Sequence, residues 1–438
     1  MKGGETMSIQ AAFQERIEEN ELLNCMRCGF CLPHCPTYIE TNDEVHSPRG
    51  RIALMKAVRD GDITAYEEVE ESLNVCLGCR ACEPACPAGV NYGHMLEESR
   101  AIFNEHKDHG IKEKVVRKTV FTGLFPNQKR MEQATSLLKF YQRSGLQKVA
   151  RGVGFMRLFP KHLRQMERVL PTVSKKEKLK QTVIFPAKGE RKATVAMFKG
   201  CLMDTLFHET NQATMKLLNE AGCDIIIPDT QNCCGALHGH SGEKAGSHKL
   251  AKQNIEAFEE VNADYIITNA GGCGAFLHDY DVLLKDDSEW SERAKAFTDK
   301  IVDFSTILVK LDFMNEFQLN VTDQIVTYQD SCHLRNVMGV YNEPRELIQA
   351  VQGAHYVEMQ DADQCCGSAG VYNITQPEMS MQILDRKMGT VNDTKATTII
   401  TTNPGCLLQM KLGIEREGKS DSMRAVHLAD FLLESLNE

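Results

Sequence analysis

The sequence predicts an α + α/β protein: an α-helical N-terminal domain, then two repeated α/β units with parallel sheets. Three observations carry that prediction. Two cysteine runs near the N-terminus are set among helix-like segments. From Ala193 onward, short apolar strands alternate with helical stretches, the signature of parallel sheets. That alternating half also repeats itself, with matching segments offset by 131, 132 and 133 residues.

Taken in chain order, residues 10–24 read as a helix leading into Cys25, Cys28, Cys31, Cys35 and Pro36. Pro48-Arg-Gly-Arg-Ile52 starts a helix through Ala57, and a further helix precedes Cys76, Cys79, Cys82, Cys86 and Pro87. Met95 to His106 is helical again. Both runs read Cys-x2-Cys-x2-Cys-x3-Cys-Pro, and each cysteine of the second lies 51 residues after its counterpart. This is the spacing of two-cluster ferredoxins, in which the fourth cysteine of each run ligates the other run's cluster. The expected ligand sets are Cys25, Cys28, Cys31 and Cys86 for one 4Fe–4S cluster, and Cys76, Cys79, Cys82 and Cys35 for the other. The helices between the runs imply an α-helical ferredoxin domain rather than a compact β-rich one. A disulfide framework, a zinc site and idle core cysteines are the competing readings. None of them requires a third cysteine and a proline at this spacing twice.

The chain has 438 residues and seventeen cysteines, with no signal-like apolar N-terminus, no twin-arginine motif and no membrane-length apolar run. Cysteine use of this kind points to metal binding in a reducing compartment. The expected location is therefore cytoplasmic, with peripheral attachment to the inner face of the cell membrane as an option. The net charge of −10 conceals an asymmetry: residues 107–192 hold 22 Lys+Arg against 6 Asp+Glu, so this segment is +16 and the remainder −26. The basic connector suggests docking on an acidic surface such as a membrane. Its apolar residues between Gln147 and Leu170 read more simply as a linker side packed on the next domain, since Gly152, Gly154 and Pro160 interrupt the pattern. No nucleic-acid motif accompanies the charge.

In the duplicated half, Thr194–Phe198 precedes Cys201 and Ile325–Tyr328 precedes Cys332. Cys233-Cys234-Gly235 matches Cys365-Cys366-Gly367, and the segment ending in Cys273 matches the one ending in Cys406. The expected organisation is 1–106, the cluster domain; 107–192, the connector; 193–324, the first Cys-Cys-Gly repeat; and 325–438, the second. Each repeat offers four thiols after strand ends, where such sheets bind ligands: Cys201, Cys233, Cys234, Cys273 and Cys332, Cys365, Cys366, Cys406. They are candidates for a further iron–sulfur cluster, for zinc or for a dithiol pair. His208, His238, His240 and His333 are weaker candidates as ligands or proton carriers. No dinucleotide fingerprint, P-loop, nucleophile elbow or zinc-protease motif is present. Neither flavin nor NAD is expected on this chain, no catalytic residue is assigned, and substrate chemistry is expected on a partner.

The run Cys25-Met-Arg-Cys-Gly-Phe-Cys-Leu-Pro-His-Cys-Pro-Thr-Tyr38, the segment Ser47-Pro-Arg-Gly-Arg-Ile52, the run from Cys76 to Val90 and the two Cys-Cys-Gly repeats together resemble the glycolate oxidase iron–sulfur subunit family. The resemblance spans nearly the whole chain. It implies a complex with flavin-binding subunits that oxidise glycolate to glyoxylate, and delivery of electrons to a membrane quinone or another acceptor. The Cys-Cys-Gly part is also similar to lactate-utilisation proteins, the anaerobic glycerol-3-phosphate dehydrogenase small subunit and heterodisulfide reductase. The alternatives implied are a lactate or glycerol-3-phosphate dehydrogenase subunit and a reductase acting at the Cys-Cys-Gly site. A redox sensor or scaffold is a third class. Heterodisulfide reductase repeats carry a fifth cysteine, whereas Cys273 and Cys406 are followed here by Gly-Ala-Phe and Leu-Leu-Gln.

Overall fold

The structure, a computed structural model, describes residues 7–174 and 182–436. Residues 175–181, which carry part of the connector's basic charge, lie outside the described residues. The N-terminal region is helical throughout. Ser8 caps the helix Ile9–Arg16 by accepting from the Ala11 amide. The sequence suggested one helix over 10–24, but the chain leaves the helix at Ile17, which turns extended to bury its side chain fully, and resumes as Glu19–Leu23. Ser47 caps the helix Pro48–Asp60 with Pro48 in its first turn, and Gly61 ends it in the left-handed conformation. The helices Tyr66–Val75 and Tyr92–His106 complete the domain around Phe13, Met55, Leu73 and Met95.

The C-terminal half contains two sheets. In the first, β1 (Val183–Phe185), β2 (Ala193–Met197), β3 (Cys223–Ile227), β4 (Tyr265–Thr268) and β5 (Ile301–Asp303) lie in the order β1-β3-β2-β4-β5. Only β1 runs antiparallel to its neighbour. In the second, β6 (Asn320–Gln329), β7 (Gln352–Tyr356), β8 (Thr398–Thr401) and β9 (Arg424–His427) lie in the order β7-β6-β8-β9, all parallel. With β1 set aside, the two orders are the same, so the sequence repeat is a repeat of topology. One apolar cluster joins the sheets through Val195, Ile225, Val326 and Phe431. The helices Gly271–His278 and Cys332–Asn336 pack across the junction. A side chain at Gly271 would run into Ser331 Oγ at 2.3 Å, so this approach requires glycine.

The connector forms the helices Ile111–Arg117, Gln128–Arg143, Leu146–Gly152 and Lys161–Val169, with a π-helical turn over Lys118–Leu124. The expectation that its apolar side packs on the next domain holds only in part. Met131, Met166 and Val169 pack against the repeats. Leu137, Phe140, Val149, Val153, Phe155 and Leu158 instead remain exposed, Leu158 to 78%. The left-handed turn at Gly154 divides the segment, so its apolar residues do not form one continuous face.

Candidate functional site

The two ferredoxin-type runs are built on matching backbone turns. Arg27 and Gly78, 51 residues apart, are both left-handed, at φ 55° and 65°. Gly29 and Arg80, again 51 apart, are left-handed at φ 90° and 59°. Two non-glycine residues held in this region mark backbone that its surroundings must stabilise. Such turns aim successive amides inward as an anion-binding nest, and the Gly78 amide points at Cys76 Sγ, 3.4 Å away.

Burial separates the two expected ligand sets. Cys28 is exposed and Cys25, Cys31 and Cys86 are half-buried, while Cys35, Cys76, Cys79 and Cys82 are all buried. The structure brings Cys35 of the first run into electrostatic contact with Cys79 and Cys82 of the second. The first run's Cys31 faces Cys25 and also Cys35; burial pushes its thiol up to about 11. Exposed Leu23, Met26 and Phe30 surround the outward-facing turn.

The buried set has its own counter-charge. Arg51 is wholly buried. Its Nε donates to the Ser72 carbonyl at 2.8 Å and both Nη atoms donate to Thr37 Oγ1 at 3.2 Å; none of these acceptors is a carboxylate. Burial alone would lower its pKa, but the thiols of Cys76 and Cys35 and the Tyr92 phenol raise it instead. Conversely, burial would raise Cys76, yet Arg51, Arg100, the Tyr92 hydroxyl at 3.5 Å and the Gly78 amide outweigh it and hold this thiol below its usual range. A desolvated cation is tolerable only beside an anion. Thiolates holding an anionic iron–sulfur cluster are that anion, so the residues fit the group.

In the repeats, all eight candidate cysteines follow the C-terminal ends of strands: Cys201 after β2, Cys233 and Cys234 after β3, Cys273 after β4, and Cys332, Cys365, Cys366 and Cys406 after β6, β7 and β8. β2 and β6 sit where the strand order reverses, the place where open parallel sheets bind ligands. Within each set the thiols neighbour one another in sequence, from Cys201 to Cys233, Cys234 and Cys273, and from Cys332 to Cys365, Cys366 and Cys406. The adjoining thiols of Cys233 and Cys365, then burial, push Cys201 and Cys332 well above the thiol range. Gly235 and Gly367, at φ 92° and 88°, make the turn that lets paired cysteines face one point. Among the described residues, no three His, Cys, Asp or Glu side chains converge on a single metal ion. A cluster makes a different demand, since each of its irons takes its own thiolate.

The repeats are alike in sulfur but not in surroundings. Cys79 of the buried ferredoxin set lies against Cys332 and Cys365, in one cluster with Leu77, Tyr372 and Ile383. Asn336 donates to the Cys79 carbonyl and Tyr372 to the Val75 carbonyl, tying the second repeat to the cluster domain. Lys387, also buried, faces Cys365 and Cys366 while bonding the Asp361 carbonyl; burial lowers its pKa. The first repeat has Asn254 at the corresponding position.

The histidines take bridging roles. His238 reaches the Phe121 carbonyl. His240 pairs with Glu97 at 2.7 Å and stacks on His333 at 5.3 Å, so the cluster domain and both repeats meet there. Nδ1 of His333 lies 3.8 Å from Cys332 Sγ. Sequence reasoning missed Arg51, Tyr92, Arg100 and Lys387. Arg51 lay inside a noticed segment, Ser47–Ile52, but nothing in its type distinguishes a buried arginine from a surface one.

Comparison with known proteins matches this layout. A 4Fe-4S dicluster domain model matches residues 21–90, a cysteine-rich domain model matches 195–278 and 326–411, and a model described as the linker region of the glycolate oxidase iron-sulfur subunit matches 112–170. A Bacillus subtilis protein named a probable glycolate oxidase iron-sulfur subunit is 62% identical over 98% of both chains. The Escherichia coli glycolate oxidase iron-sulfur subunit is 29% identical over 89% of this chain and 90% of its own. Lactate utilization protein A of Halalkalibacterium halodurans is 33% identical over 54% of this chain and 96% of its own. A crystal structure of a hypothetical protein from Helicobacter pylori shares the fold at a TM-score of 0.52 and 11% identity, covering 98% of this chain and 77% of that one.

Proposed function

The chain belongs to the glycolate oxidase iron–sulfur subunit family, and on that premise we propose that it carries electrons from a flavin-binding partner, which oxidises glycolate to glyoxylate, toward a membrane quinone. Each glycolate oxidised yields two electrons and two protons, whereas a 4Fe–4S cluster, when bound, passes one electron at a time. Cys25, Cys28, Cys31 and Cys86 would hold one such cluster, and Cys35, Cys76, Cys79 and Cys82 the second. The Cys-Cys-Gly thiols of one or both repeats would hold a further centre.

The observation that carries this reading is the inward gradient of the sulfur sets. The first set reaches the surface at Cys28, amid exposed Met26 and Phe30, where a partner can approach. The second is buried, and its Cys79 abuts Cys332 and Cys365. Co-purification with the flavin-binding partner, followed by paramagnetic resonance after adding glycolate without air, tests the proposal. Reduced-cluster signals are expected. Signals that appear with dithionite but never with glycolate would refute glycolate as the electron source, and signals with lactate alone would move the chain to the lactate reading. Metal analysis distinguishes zinc, which gathers all its ligands on one point, from iron in the repeats. Turnover of a disulfide by the isolated chain would support the reductase reading.

A further inference from the structure

The two repeats present their last cysteines alike but differ in the residue that leads into them. Cys273 lies in the first turn of the helix Gly271–His278, and Cys406 in the first turn of Pro404–Arg416. Three residues before each cysteine, the first repeat has Ala270 and the second Asn403. The loops after β4 and β8 meet here, and the Gly271 amide donates to the Thr402 carbonyl at 3.1 Å. The Gly272 amide donates to Asn403 Oδ1, also at 3.1 Å. That bond settles which way the side-chain amide points, because an N–H can be accepted only by its oxygen. Nδ2 therefore faces the second set, where it donates to Cys406 Sγ at 3.6 Å. Glycines clear the space at both ends: a Cβ at Gly272 would stand 3.3 Å from Oδ1, and one at Gly405 3.2 Å from Nδ2.

Cys406 is buried, so little water competes for its sulfur. A hydrogen bond to a cluster sulfur strengthens as that sulfur gains negative charge. Reduction adds such charge, so the donor favours the reduced state and raises the potential. We propose that Asn403 is a positioning residue of the second repeat: its amide, aligned by the first repeat, donates to Cys406 and raises the potential of the centre held there. Ala270 gives the first repeat no such donor. The proposal rests on the reading that the second repeat holds an iron–sulfur centre. An Asn403 that served only to join the two loops would leave the potential of that centre where it is.

The test uses the full chain, reconstituted with iron and sulfide. Asn403→Leu keeps the approximate shape of the side chain and removes both hydrogen bonds. In a redox titration followed by paramagnetic resonance, the reduction equilibrium of the second-repeat centre is expected to weaken about threefold to tenfold, a fall of about 30–60 mV at about 59 mV per tenfold. Iron and sulfide content, and the potentials of the ferredoxin-type clusters, are expected to match the parent. A second measurement needs no variant. With isotope-labelled nitrogen in the asparagine side-chain amides, electron–nuclear double resonance on the reduced parent is expected to show a nitrogen coupled to that centre. A shift below about 10 mV or an upward one in the iron-loaded variant, or no coupled nitrogen in the parent, would overturn the role given to Asn403. Should Asn403→Leu lose its iron, the nitrogen coupling decides. A parent chain with iron in the ferredoxin-type sites alone would overturn the underlying reading and the proposal with it, and iron analysis tells that failure from the others.

Discussion

Replacing Arg51 by methionine is the sharpest perturbation the structure offers, because the guanidinium is fully buried and has no carboxylate partner among the described residues. Links of 3.2 Å to Thr37 Oγ1 and 3.3 Å from there to Cys35 Sγ put this sulfur no farther than about 6.5 Å from the positive charge. At that separation, and at the effective dielectric of about 20 suited to protein sites, one unit charge contributes about 2.5 kcal/mol. Reducing a cluster adds one negative charge, so the lost cation raises the cost of reduction by that amount. The potential of the buried cluster is then expected to fall by about 110 mV, since tenfold in a one-electron equilibrium is about 59 mV. A redox titration followed by paramagnetic resonance measures this directly. Arg51→Lys keeps the charge but gives up the forked contact to Thr37, so it should fall by much less. A shift in Arg51→Met below about 20 mV, or an upward shift, would refute the assignment of Arg51 as counter-charge to the Cys35 and Cys76 set.

Other expectations follow from the same geometry. Two loaded ferredoxin-type sites give about eight irons per chain, and a loaded repeat takes the count to about twelve; the excess over eight should vanish in Cys366→Ser, as read by iron and sulfide analysis. Gly367→Ala places a Cβ 2.7 Å from the Ser380 carbonyl at φ 88°, whereas the same change at Gly235 meets the movable Phe276 ring at 3.2 Å. The first should therefore lower the melting temperature and the second-repeat metal content more than the second lowers its own. Asp303 is buried, and that burial pushes its carboxyl up to about 7 despite hydrogen bonds from Ser305. Its folded pKa lies above the unfolded value, so its contribution is present below about pH 4 and is lost as pH rises toward 7. Asp303→Asn should leave stability at pH 4 nearly unchanged and raise it at pH 8 by on the order of 2–4 kcal/mol, checked by denaturant melts at both pH values.

The parts legible in the sequence were those whose physics is local. Cysteine spacing fixed the turns, because three thiols three residues apart need one tight loop, and the matched left-handed residues at Arg27 and Gly78 are that loop. Runs such as Thr194–Phe198 and Ile325–Tyr328 declared themselves as strands through their short apolar, β-branched stretches, and they lie in β2 and β6. What stayed hidden depends on long-range placement. Arg100 is an ordinary helix-surface residue until its guanidinium is seen to join His240, Leu73 and Cys76. The exposed Val149, Val153 and Leu158 confined the packing expectation to residues such as Met166 and Val169, because composition signals apolar surface without saying what covers it.

The duplication also explains why equal cysteines need not be equal centres. A repeated strand order delivers four sulfurs to each switch point whatever lies outside the sheet. Charge and neighbours come from residues the repeat does not constrain: Lys387 stands where the first repeat has Asn254, and His333 where it has Leu202. Among the described residues, only the second set lies against a cysteine of the buried ferredoxin set, Cys79. Gathering four thiolates in a dry site is favourable only if positive charge is nearby, and Lys387 is the buried cation there. Lys387→Met should therefore strip metal from the second repeat, and placing an ammonium at the opposite position with Asn254→Lys should not create the same dependence in the first. Equal metal loss from both repeats in Lys387→Met would show that the fold alone, and not its local charge, decides which set is loaded.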